Sequence, residues 1–149
     1  MYTLDIHKAK RKKILKTILV YLILSVFAVV VDNVYALFGH GVRSASMSLM
    51  FLYLLLGGAL GYFLLWLIAP GVYLNKWYRL GYNLYNSGIA TLTVGGFYKG
   101  ILDIAGTESD YTQMFSILGW GMTAAGFVVL IVSVMNCYSK PEQQRGKTI

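Results

Sequence analysis

The chain has 149 residues, of which 57% are hydrophobic and 13% charged, at a mean hydropathy of +0.60. That charged share is about half of what an ordinary soluble domain carries, so burial in lipid explains the apolar excess better than an outsized core does. Lys and Arg outnumber Asp and Glu by 13 to 6, but Lys8, Lys10, Arg11, Lys12, Lys13 and Lys16 all crowd the start of the first apolar run, where topology signals and anionic lipid headgroups account for them and nucleic acid need not.

About 20 mainly apolar residues cross ~30 Å of hydrocarbon as a helix. Four stretches satisfy that length and predict spans over 14–38, 47–69, 77–104 and 114–137, with a basic tail at 1–13 and a polar tail at 138–149. The expected fold is a single all-α membrane domain, four transmembrane helices in an antiparallel up-down bundle, because loops of roughly eight to ten residues make sequential helices neighbours.

The first span follows a basic segment as a signal peptide would, yet no small-x-small cleavage site interrupts it before Phe38, which predicts an uncleaved helix. Ile, Leu and Val dominate it, with Ser25, Ala28 and Ala36 its small residues, so it is expected to be the most lipid-exposed helix. Asp32 falls about five residues, or ~8 Å, inside the outer boundary. A charge there calls for a partner. Lys99, at a comparable depth on the third span, is the expected one, Arg43 is the competitor, and a proton or cation site is the functional alternative.

The second span is capped by Ser44 or Ser46 and stopped by Pro70 and Gly71. It carries Gly57 and Gly61 at four-residue spacing, as the third carries Gly96 and Gly100 and the fourth Gly121 and Ala125. Such spacing lets helices approach closely in a bilayer, where lipid tails are as apolar as leucine. Packing within the bundle is the favoured role, an oligomer face the other.

The third span is the most polar. At 100° per residue Asn83, Ser87, Ala90 and Val94 fall near one line, flanked by Asn86 and Thr93 on one side and Thr91 on the other. Unpartnered amides in hydrocarbon are costly, so this stripe is expected to face protein, or else to wall a polar path. The span is accordingly expected to be the buried one. A weak echo links Gly41, Ser44 and Phe51, after the first span, with Gly106, Ser109 and Phe115, after the third.

Orientation follows from cations. Eleven (the six N-terminal ones, Lys76, Arg79, Lys140, Arg145 and Lys147) lie on one side, against Arg43 and Lys99 on the other, which places both termini in the cytoplasm. Cys137 is the only cysteine, and His7 and His40 fall on opposite sides of the membrane. No intrachain disulfide, thiolate metal cluster, haem bis-histidine pair or three-histidine metal site can be built from them. His40 with Asp32, Asp103, Glu108 and Asp110 could bind a divalent ion at the outer face, but solvated loop residues are the favoured reading. No nucleophile-base pair or phosphate-cradling loop occurs on one side, so no catalytic residue, metal or cofactor is expected, and the chain is not expected to be an enzyme.

The segment Ser-Gly-Ile-Ala-Thr-Leu-Thr-Val-Gly-Gly at 87–96, with Gly-Ile-Leu-Asp-Ile-Ala-Gly-Thr at 100–107 and Phe-Gly-His-Gly-Val at 38–42, resembles uncharacterised small four-helix membrane proteins of bacteria. That resemblance covers about a third of the chain, implies a bacterial inner membrane location, and brings no activity. The spacing from Arg79 to Asn83 is also similar to an Arg-x-x-x-Asn motif of membrane glutathione transferases. Here Asn86 stands where that motif has an acid, and the segment is on the third span rather than the second. Two functions follow: a non-catalytic partner or assembly subunit in the membrane, or a small oligomeric transporter or channel component with a polar path along the third span. The expected partners are the bilayer itself, a second copy, or a larger membrane protein.

Overall fold

The computed structural model of the chain describes residues 2–39, 41–68 and 76–145, with side chains for 12, 14–39, 41–68 and 77–136. Pro70, Gly71 and His40, and the side chains of His7 and Cys137, lie outside them. The fold is all-helical, 91% helix, with no strand among the described residues. α1 is Tyr2–Phe38; α2 (Ala45–Leu52), a π-helical segment (Tyr53–Leu60) and α3 (Gly61–Ile68) form one continuous rod; α4 is Lys76–Ala105 and α5 is Tyr111–Arg145. The basic N-terminal segment is therefore not a separate tail but the first turns of α1.

Three helices are long and apolar enough to cross a membrane: Ile14–Phe38, Ala45–Ile68 and Tyr111–Asn136. α4 is not among them. Its 30 residues reach about 45 Å, but Asn83, Asn86, Ser87, Thr91, Thr93 and the glycines dilute its apolar content.

Ser44 caps the N-terminus of α2, with backbone φ −98° and ψ 132° and its hydroxyl accepting from the Ser46 N–H. The same hydroxyl donates to Asp103 Oδ2 at 2.5 Å, tying the α1–α2 turn to the end of α4. Gly41 (φ +84°) and Gly106 (φ +68°) both adopt the left-handed conformation, which is where glycine is needed to leave a helix. The echo between the two turns thus holds at the glycines. After α4 the Thr107 N–H returns to the Leu102 carbonyl and that of Gly106 to Asp103.

The core lies where α1, the α2–α3 rod and α4 meet, around Tyr21, Ala28, Met47, Met50, Leu54, Ala59, Tyr62 and Ile89. α1 contributes a single seam: Ile14, Tyr21, Ser25, Ala28, Asp32 and Ala36 are buried, Ile18 and Val31 are half-buried against the core, and most of the other large aliphatic residues between them are exposed. Its small residues therefore mark its packing face. By burial α1 does not stand out from the other two apolar spans, each of which has the same 22% share buried.

α4 packs against both α5 and the α2–α3 rod. Added Cβ atoms at Gly96 and Gly100 would meet Met50 Cβ at 3.2 Å and Met47 Cβ at 2.5 Å, and those at Gly57 and Gly61 would meet Ile89 at 3.1 Å and Tyr85 Oη at 3.0 Å. These four glycines build the contact between the rod and α4. Gly121 has nothing within 4 Å, and both it and Ala125 are exposed. The expectation that this pair packs inside the bundle is corrected by its azimuth: it sits on the side of α5 turned away from α4. The α4–α5 seam instead uses Gly81 against Leu130, Gly88 against Thr123, Gly95 against Phe115, and Gly119 and Gly126 against Leu92 and Tyr85. The glycines ascend α4 every seven residues as their partners descend α5 by seven and then eight, which keeps one face in register.

Candidate functional site

The most concentrated polar arrangement inside the fold is a tyrosine cluster around Asn86. Asn86 Oδ1 accepts from Tyr21 Oη at 2.6 Å and from Tyr62 Oη at 2.7 Å, so one carboxamide joins α1, α3 and α4. Tyr62 is 1% exposed. Its ring stacks on Tyr21 (centroids 5.8 Å apart) and meets Tyr82 at 5.4 Å and Tyr85 at 6.0 Å. Tyr82 continues the cluster toward Thr17, whose hydroxyl is 3.3 Å from Tyr82 Oη.

Two glycines and the π-helical segment make room for these rings. A side chain at Gly58 would overlap the Tyr21 ring. The widened helix has the Gly61 N–H reaching back to Leu56 O, and the neighbouring Gly57 carbonyl accepts from Tyr85 Oη at 2.8 Å. π-turns shift backbone hydrogen bonds out of the α register, and here a side-chain hydroxyl from α4 meets a carbonyl of that irregular stretch. Both faces of Gly57–Gly58 thus receive a tyrosine, one from α1 and one from α4.

The cluster is electrically neutral. A carboxamide accepting two hydroxyl protons is a fixed hydrogen-bond hub, with no group beside it that takes up a proton at neutral pH. The Nδ2 of Asn86 makes no hydrogen bond among the described residues, and Asn86 is one of the residues lining a groove of about 580 Å³ between α1 and α4, with Lys16 at its N-terminal end along α1.

The predicted stripe on α4 divides. Asn86 turns inward, while Asn83, Ser87, Ala90 and Val94 are exposed. Thr91 and Thr93 donate to the carbonyls of Ser87 and Ile89, both at 2.8 Å, so their hydroxyls serve their own helix. The described residues hold no continuous row of free polar groups along α4, and α4 is the buried helix on three of its sides only.

At the opposite end Asp32 is buried, and its partner is Arg43, not Lys99. Arg43 Nη1 stands 3.6 Å from Asp32 Oδ2, Arg43 Nη2 donates to Asn33 Oδ1 at 3.0 Å, and Ser48 Oγ lies 3.0 and 3.2 Å from the two carboxylate oxygens. Depth alone made Lys99 the expected partner, but azimuth excludes it. α1 packs on the side of α4 that carries Tyr82, Asn86 and Phe97, whereas Lys99 projects toward α5 and lines a small cavity of about 250 Å³ with Thr112 and Ser116. Asp32 is thereby held by a hydroxyl and a guanidinium. Among the described residues no group of three or more His, Cys, Asp or Glu side chains is placed to hold a metal ion.

Sequence reasoning missed Tyr21, Tyr62, Tyr82 and Tyr85. The available signal was Tyr78, Tyr82 and Tyr85 at helical spacing on one side of the third span, together with a mid-span Gly-Gly on the second. Comparison with protein-family models, with curated proteins and with solved structures returns no match.

Proposed function

We propose that the chain is a non-catalytic multi-pass membrane subunit, with α4 as a fourth membrane-spanning helix held between α2–α3 and α5, and that it assembles with another transmembrane segment through the outer face of α4. The observation that carries this reading is the exposed line of Asn83, Ser87, Ala90 and Val94. Asn83 makes no side-chain hydrogen bond among the described residues. Small and polar residues together are what helix–helix interfaces in lipid use, whereas the exposed residues of α1 are chiefly Leu, Ile, Val and Phe. The engagement of Asn86, Thr91, Thr93 and Asp32 with other protein groups argues against a reactive centre. The same exposed line favours, as a second reading, an oligomeric transporter or channel component in which several copies turn Asn83 and Ser87 toward a shared axis.

In this reading the bundle is antiparallel and up-down in a bacterial inner membrane, with both termini cytoplasmic, supported by eleven cations against two. Cysteines at 43 and 108, in a Cys137→Ser background, then react with an impermeant maleimide from outside intact cells, and cysteines at 5 and 145 do not. The interface is tested with Ser87→Cys in the same background by oxidative cross-linking in native membranes. A chain homodimer supports the oligomeric reading, and a discrete larger adduct supports the partner reading. If Ser87→Cys cross-links no more than Val26→Cys, on the exposed face of α1, α4 has no protein neighbour and the proposal fails.

A further inference from the structure

The geometry points to a binding site for one anionic phospholipid in the groove between α1 and α4, in the leaflet that holds the N-terminus. The groove measures about 580 Å³, within the usual size of small-ligand sites. Its lining is sorted by polarity along the helix axes. Lys16 stands at the mouth, Thr17 and Tyr82 face each other at 3.3 Å across it, and the Asn86 amide comes next. Beyond these the lining is apolar, with Val20, Leu24, Leu54 and Ala90.

This order matches an amphiphile and no simpler ligand. From Lys16 to Leu24 is two helical turns, about 12 Å, cationic at one end and wholly apolar at the other. A free phosphate would use only the mouth, and a neutral acyl chain only the far half. Tyr21, which bonds Asn86, lies five residues beyond Lys16, about 7.5 Å deeper, so the unpartnered Asn86 Nδ2 meets the depth at which a phospholipid places its ester carbonyls. A donor left bare there is costly, and an ester carbonyl satisfies it. Lys12, one turn before Lys16 and exposed, adds positive potential without lining the groove, and the other N-terminal cations extend the same field.

Native mass spectrometry of the full-length protein, released from detergent with added palmitoyl-oleoyl phosphatidylglycerol or phosphatidylcholine, tests the site. At equal lipid concentration phosphatidylglycerol is retained in preference. Lys16→Gln lowers its retention about five-fold, as expected for one cation at an anionic headgroup, while Lys12→Gln changes it less than about two-fold. Val20→Trp fills the apolar half and lowers retention of both lipids. All three substitutions sit on exposed positions of α1, and although the groove shares Ala90 with the outer face of α4, none of them alters that face, so failure here is distinct from failure of the assembly reading. Equal retention of the two lipids, equal losses for Lys12→Gln and Lys16→Gln, or full retention in Val20→Trp would each overturn the assignment.

Discussion

Replacing Asn86 by leucine removes the acceptor shared by three helices, and its cost is calculable from the geometry. Two hydrogen bonds of 2.6 and 2.7 Å are lost. Inside a membrane bundle each is worth ~0.6–2 kcal/mol, and the two tyrosine hydroxyls left behind are in side chains only 8% and 1% exposed, where an unsatisfied group carries its full desolvation penalty. Leucine restores the volume but not the acceptor, so the expected loss is about 2–4 kcal/mol. Reversible unfolding in mixed micelles, followed by circular dichroism as the denaturing detergent fraction rises, reads it. The decisive comparison adds Tyr21→Phe and Tyr62→Phe to Asn86→Leu. With no hydroxyls to strand, the triple variant is more stable than Asn86→Leu alone, which pure additivity of three destabilising changes forbids. An Asn86→Leu loss below about 0.5 kcal/mol, the size of an ordinary surface change, would mean that water or detergent satisfies the hydroxyls and that the hub does not hold the helices together.

The outer ion pair gives a second expectation. Arg43 is 56% exposed at its side chain and 3.6 Å from Asp32, so a double-mutant cycle of Asp32→Asn with Arg43→Gln should show a coupling of ~0.2–1 kcal/mol that falls as salt rises; a cycle of Asp32→Asn with Lys99→Gln should show none, and coupling to Lys99 would refute the azimuth derived for α4. Glycines give a third. An added Cβ at Gly88 meets the Thr123 backbone nitrogen at 2.5 Å and its Cα at 2.8 Å, whereas one at Gly121 meets nothing, so Gly88→Ala should cost ~1–3 kcal/mol and Gly121→Ala should be neutral or stabilising by ~0.4–1 kcal/mol in the same micelle titration. The reverse order would remove the glycine seam.

The apolar spans were legible in the sequence because unbroken apolar length is itself the physical requirement for crossing lipid. The second predicted span, 47–69, differs from the Ala45–Ile68 rod by one or two residues at each end, and 77–104 differs from α4 by one at each end. Depth along each helix was legible for the same reason, which is why Asp32 and Lys99 were matched. Azimuth was not. Nothing in hydropathy says that Lys99 turns to α5 while Asn86 turns to α1, because that depends on which neighbour occupies which side of α4. Tyr21, Tyr62, Tyr82 and Tyr85 carry no mark in hydropathy that they gather around Asn86, because that too depends on which helix faces which. Glycines at 81, 88 and 95, repeating every seven residues, mark the α4–α5 seam in the sequence, alongside the four-residue pairs that mark the contact with the rod.

The arrangement explains how so polar a helix is accommodated. α4 offers a glycine seam to α5, Ile89, Gly96 and Gly100 to the α2–α3 rod, and Tyr82, Asn86 and Phe97 to α1. Each of these faces meets protein, so most of the helix is stabilised by protein contacts. What remains is the line of Asn83, Ser87, Ala90 and Val94, which no described element covers. If that line met only acyl chains, substituting Asn83 and Ser87 by leucine would stabilise the chain, since it would replace poorly solvated polar groups with apolar ones. If another transmembrane segment covers it, the same substitutions weaken that assembly while leaving the isolated chain as stable or more so. Opposite responses in assembly and in isolated stability would mark the outer face of α4 as the place where recognition of another molecule separates from maintenance of the fold.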